Sequence, residues 1–207
     1  MMLGKSRLFI HATNVHQGGG RTLLDALLRE IPVSSGVLAL LDSRMPIPEG
    51  MLEGTQVIRV KPTVTNRFKA DQWLAKNVNQ GDIVFCFGNL PPLFKLKGHA
   101  IVFLQNRYLI DYIKLDNFPL KTRAKLCIER LWLSSRMVNA DEFIVHSPTM
   151  KRLMEIRTQG RIPVRVLPFM AEPKGYIRSI AQTTKQKNER CDFMYVATGG
   201  SHKNHRR

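Results

Sequence analysis

Short, uninterrupted apolar runs set the tightest limit on how this 207-residue chain folds. GVLALL at 36–41, IVFCF at 83–87 and AIVFL at 100–104 show no alternation of apolar and polar residues. A strand with one wet face alternates. A run without alternation is covered on both faces, as a strand inside a parallel sheet is. More mixed runs at 7–12, 56–60, 141–146 and 164–167 extend the series. Between them, apolar residues recur at steps of three and four, the period of a helix. Leu23, Leu24, Leu27 and Leu28 mark a first helix, residues 66–78 a second with Asn66 in its N-cap region, and residues 121–139 the longest. On that longest helix Ala124, Ile128, Leu131, Trp132, Ser135 and Val138 form a stripe expected to face the core. Pro148 opens a further helix after Ser147, with Met150, Leu153 and Met154 inward. Strands alternating with helices predict an α/β fold: a Rossmann-like open parallel sheet of six or seven strands, with helices on both faces.

In such a sheet, ligands sit beyond the carboxyl ends of the strands. Here those ends are the loops at 13–20, 88–92, 105–106 and 146–147. The first is the most informative. Residues 7–30, RLFIHATNVHQGGGRTLLDALLRE, read as strand, polar loop, three glycines and helix. Glycine lets a backbone approach a ligand closely, because no Cβ intervenes. The free N–H groups and dipole of the helix that follows favour phosphate or another anion. Gly18, Gly19 and Gly20 are therefore a candidate binding loop, with a ligand-free turn as the alternative. Their spacing is not G-x-G-x-x-G, no acidic residue is read as closing the next strand in the ribose-binding manner, and no P-loop lysine follows. That argues against a dinucleotide or P-loop site.

Charge narrows the partners. Lys and Arg number 32 against 16 acids, a net +16. Such a field favours nucleic acid, anionic lipid or phosphorylated substrates. The basic residues are dispersed and accompany no zinc finger, RNP aromatic set or GXXG clamp, so nucleic acid is disfavoured. No apolar run approaches the roughly 20 residues of a membrane helix. The run after Lys5 and Arg7 is only three residues, a strand rather than a signal peptide. Cys86, Cys127 and Cys191 are odd in number, far apart and form no C-x-x-C pair. Packed, reduced thiols in a cytoplasmic chain fit that usage better than a zinc site. His11 and His16 flank the first loop, and structural roles are favoured for both. His202 and His205 lack partners for a metal.

Residues 171–190 are polar and without periodicity, and read as a linker. CDFMYVA at 191–197 is a fresh strand, followed by a glycine turn and a basic end. The expected organisation is a Rossmann-like domain over 1–170, a linker over 171–190, and the opening of an incomplete second domain over 191–207.

QGGGRTLLDALL, the α/β half, the linker and FMYVATGGSHKNH together resemble the glycosyltransferases of the GT-B fold. The closest class is the group-one, family-four retaining enzymes. The resemblance implies two Rossmann-like domains across a cleft, the N-terminal one holding the acceptor and the C-terminal one the nucleotide sugar. It covers nearly all of this chain, as the first half of such an enzyme. By the same resemblance Gly199, Gly200 and Lys203 approach the donor phosphates, with Gly18, Gly19 and Gly20 across the cleft. Gln105 and Asn106 stand where the family has a histidine after the fifth strand. They are candidates for orienting sugar hydroxyls, with loop capping as the alternative, and no catalytic residue is assigned. The family's E-x7-E helix would lie beyond Arg207, so this chain alone is expected to be inactive. The implied reaction is hexosyl transfer from a nucleotide sugar to a glycan or lipid-linked acceptor in polysaccharide biosynthesis, with no metal or further cofactor. The implied location is cytoplasmic, peripheral at the inner face of the cytoplasmic membrane. A non-catalytic basic module binding anionic polymer or membrane is the reading from a different class. For either, the basic aromatic segment 107–126 is the expected docking surface, through Tyr108, Ile110 and Tyr112, unless it packs on the sheet instead.

Overall fold

A computed structural model of the chain describes residues 6–32, 36–47 and 55–168. Seven strands form one all-parallel sheet: Leu8–Ala12 (β1), Val37–Asp42 (β2), Gln56–Val60 (β3), Ile83–Cys86 (β4), His99–Leu104 (β5), Glu142–Val145 (β6) and Val164–Val166 (β7). Their order is β3-β2-β1-β4-β5-β6-β7. The chain steps outward from β1 to β3, then returns to the other side of β1 at β4. That reversal opens a crevice at the carboxyl ends of β1 and β4, where open α/β sheets hold ligands.

Four α-helices lie among the described residues: Gly18–Arg29 (α1), Val64–Asn77 (α2), Leu120–Arg136 (α3) and Pro148–Thr158 (α4). Ile10, Ala12, Ala39 and Leu41 pack with Leu24 and Leu28 of α1 on one face of the sheet. Phe9, Leu40, Val84, Val102 and Phe143 pack with Leu74 of α2, Leu126 and Leu133 of α3, and Met150 and Met154 of α4 on the other. Neighbours along a strand point to opposite faces, so covering both faces requires apolar residues at every position. The Rossmann-like architecture expected from the runs is the one observed.

Three local expectations change. The helix after the first loop starts at Gly18, so the glycines form its first turn rather than a loop before it. Thr63, not Asn66, is the N-cap of α2, because its Oγ1 accepts from the Asn66 N–H at 3.2 Å, and from Asn66 Nδ2 at 2.7 Å. Most of the expected stripe faces outward: Ile128, Leu131 and Val138 are 64%, 71% and 75% exposed, while Leu126 and Leu133 are buried and, of the stripe, Trp132 packs against the core. The inner face of α3 is built partly from Arg130, which donates to the carbonyls of Tyr108 and Asp111 at 2.7 and 2.8 Å. A polar residue on the packed face made the apolar period point outward. Ser147 caps α4, its Oγ accepting from the Met150 N–H at 3.3 Å, with Pro148 in the first turn as expected.

Candidate functional site

Three strand-end loops are tied together at the carboxyl edge of the sheet. Leaving β1, Asn14 donates its Nδ2 to the carbonyl of Gly88, after β4, at 3.0 Å. A side chain at residue 88 would have to displace Asn14, since a Cβ there would lie 1.9 Å from Asn14 Oδ1. The next residue, Asn89, has φ 68, a left-handed conformation that Asn tolerates better than most residues. Its Oδ1 accepts from the backbone N–H groups of Gln105 and Asn106, after β5, at 2.6 and 2.9 Å. Asn106 in turn accepts from the Tyr108 N–H at 3.1 Å and starts the 3-10 turn Arg107–Leu109. Side-chain amides thus fix the β1, β4 and β5 loops relative to one another.

These loops and the start of α1 enclose an open cavity of about 520 Å³. Gly19, Gly20, Asn89, Gln105, Asn106 and Glu129 are among its lining residues. The glycines and the amide pair singled out in sequence therefore meet: a Cβ on Gly20 would lie 3.5 Å from Gln105 Oε1. Gly18 does not line the cavity; it supplies the φ of +68 with which the chain enters the helix. Gln17 at the N-cap makes no side-chain cap bond, and the first turn of α1 has no acidic residue. That leaves the positive end of the helix without a counter-charge of its own.

Across the cavity, α3 contributes Thr122, Lys125 and Glu129. Burial raises the Glu129 pKa, with Lys125 and Arg67 pulling it back. Lys125 Nζ lies 3.8 Å from Glu129 Oε1. Asn14 Oδ1, also in the wall, is buried without a hydrogen-bond partner. Amides, a half-buried carboxyl and an uncapped helix start suit a polyhydroxyl ligand that carries an anionic group. No Cys, His or Ser lines the cavity among the described residues.

Between the sheet, α2 and α3 lies a buried charge cluster. His11 Nε2 is 3.5 Å from Asp71 Oδ1, and Arg67 Nε is 4.0 Å from Asp71 Oδ2. The Arg67 guanidinium sits 4.6 Å from the centre of the Trp132 ring. Burial lowers His11 to about 3, with the Arg67 charge adding to it, so the imidazole is neutral. Asp71 is raised to about 6 by burial, against the pull of Arg67. Neither Asp71 oxygen has a hydrogen-bond partner. The structural role read for His11 agrees with its burial. His16 sits 3.9 Å from Asp42.

The remaining candidates separate. Tyr108 is half-buried, edge-on to Phe118 at 5.1 Å, and lines the cavity. Ile110 is 1% exposed in the core, which corrects its assignment to a docking surface: the 3-10 turn rotates it inward, next to buried Leu109. Tyr112 is 80% exposed. An acidic residue does close the second strand, contrary to the sequence reading, because β2 runs one residue further than expected, to Asp42. Arg44 occupies that carboxylate at 2.7 and 2.9 Å and holds its pKa below the usual range, so it is not free for a ribose. Gly199, Gly200, Lys203, the 171–190 linker and the 191–207 segment lie outside the described residues. Asn14, Asn89 and Glu129 were missed in sequence. The two asparagines had a usable signal, each lying within two or three residues of a strand end, and Glu129 is the only acid on α3.

No protein-family model, curated protein or solved structure matches this chain.

Proposed function

We propose that residues 6–168 are the acceptor-side domain of a GT-B glycosyltransferase and that the cavity at the β1, β4 and β5 ends receives a sugar substrate. The observation that carries this reading is the convergence of the first turn of α1, Gln105, Asn106 and Glu129 on one cavity. Amide groups of Gln105 and Asn106 orient hydroxyls, and the uncapped turn at Gly19 and Gly20 favours an anionic group such as a sugar-linked phosphate. Glu129, its pKa raised, donates or accepts a hydrogen bond at an acceptor hydroxyl. Gly199, Gly200 and Lys203 are proposed to meet the donor phosphates from the other side of the cleft.

Amide chemical-shift mapping with nucleoside diphosphates, nucleotide sugars and oligosaccharides tests the reading. Shifts centred on Gly19, Gly20, Gln105 and Asn106, lost in Gln105→Ala, support it. If no sugar or nucleotide in a broad panel moves those amides at millimolar concentration, the reading is wrong.

A further inference from the structure

The outward side of α3 carries apolar residues that nothing among the described residues covers. Leu120 is 79% exposed, and Ile128 and Leu131 follow on the same side at helical spacing, with Val138 in the next turn. The helix has five basic residues, Lys121, Arg123, Lys125, Arg130 and Arg136, and one acid, Glu129. Arg130 is turned inward to backbone carbonyls, and Glu129 is mostly buried beside Lys125. The exposed charges along the apolar strip are therefore basic: Lys121, Lys125 and Arg136. Acidic groups nearby are paired: Asp116 lies 3.5 Å from Arg123, Glu155 on α4 3.7 Å from Lys151, Asp111 2.7 Å from Arg107, and Asp141 against Lys95. Exposed Tyr112 and Ile156 extend the surface, with Arg157 5.1 Å from the centre of the Tyr112 ring.

We propose that this face of α3 docks on an anionic lipid bilayer. An apolar strip rimmed by Lys and Arg buries its aliphatic side chains at the headgroup boundary while the cations meet lipid phosphates. Charge decides against the other occupants. A second copy would set one basic rim against another. Residues 169–207 carry eight basic and three acidic residues, so they too would add like charge. The inference rests on α3 alone and stands whether or not the chain transfers sugar.

Cys127 lies beside the strip and is exposed, whereas Cys86 is buried. An environment-sensitive fluorophore on Cys127 of the full chain, with Cys191→Ser, reports the contact. Vesicles of phosphatidylcholine with phosphatidylglycerol should bind the chain, weakly at high salt, and shift the probe to the blue. Pure phosphatidylcholine should bind it poorly. The exposed pair Ile128→Ser and Leu131→Ser should weaken binding by about tenfold or more, as loss of two inserted aliphatic side chains implies. Lys121→Glu with Arg136→Glu should do the same at low salt. Circular dichroism identical to the native chain would show that the fold is kept. Absence of vesicle binding, binding with an unshifted probe, or equal binding by the serine variant would each overturn the proposal. So would a dimer in solution that buries the probe without lipid.

Discussion

Gly88→Ala tests whether the loop clasp at the cavity is a fixed fit. The φ of Gly88 lies outside the positive region, so alanine is allowed by the backbone itself. The obstacle is one side chain: the new Cβ would lie 1.9 Å from Asn14 Oδ1 and 2.8 Å from its Cγ. Asn14 must swing away. That breaks its 3.0 Å bond to the Gly88 carbonyl, a loss of about 1 kcal/mol. Forcing the amide off its rotamer adds about 1 kcal/mol. A stiffer unfolded chain offsets about 0.5 kcal/mol, leaving a net destabilisation of about 1.5 kcal/mol. Asn14→Ala alone costs about 1 kcal/mol for the lost bond. It also removes every atom the new Cβ would strike. In the Asn14→Ala background, Gly88→Ala is therefore neutral or slightly stabilising, and the pair is sub-additive by about 2 kcal/mol. Urea denaturation of the four proteins gives this coupling. Additivity within about 0.5 kcal/mol would refute the argument. Gly98→Ala is the control: its Cβ would meet the Asp82 carbonyl at 2.5 Å and Val78 Cγ1 at 2.7 Å. Backbone cannot step aside, so a loss of about 3 kcal/mol or more is expected, with no rescue by Asn14→Ala.

Two further outcomes follow from the buried charges and the clasp. With Asp71 raised from 3.8 to about 6, the folded chain keeps a proton that the unfolded chain releases, so this group makes stability fall as pH rises from about 4 to 6. His11, lowered from 6.5 to about 3, acts in the opposite sense: the unfolded chain takes up a proton that the folded chain refuses, and stability rises with pH over about 3 to 6.5. Asp71→Asn removes the first effect alone, so urea midpoints between pH 4 and 6 should climb more steeply with pH than in the native chain; parallel profiles would contradict the assignment. Asn89→Gly keeps the left-handed backbone but takes the acceptor from two N–H groups. A loss of about 1–2 kcal/mol is expected by chemical denaturation, together with faster hydrogen exchange at Gln105 and Asn106; unchanged exchange would show that the clasp does not hold them.

Much of the fold was legible in the sequence because strand burial is written locally. A run such as IVFCF has apolar residues at every position whichever face is considered, so a strand covered on both sides is its only low-cost solution. All seven strands among the described residues were placed, with each boundary within one residue. The strand, loop and helix over 7–30 were legible too, although the three glycines belong to the first turn of α1 rather than to the loop before it.

Tertiary structure decided what depends on a choice between equivalent faces or on distant partners. The period of α3 allowed an apolar stripe in either direction, and packing against the sheet chose Leu126 and Leu133, turning Ile128 and Leu131 to solvent. Ile110 sits in a basic aromatic segment that reads as surface, but the 3-10 turn directs it into the core. Gln105 and Gly20 are 85 residues apart in sequence and meet only because the strand order places β5 one strand beyond β4. Asn14 and Asn89 look like ordinary loop residues until parallel strands bring their loops to one edge. Sequence specifies which strand residues avoid water. Which buried or exposed polar groups share a cavity is set by strand order and register, a long-range outcome that no local pattern encodes.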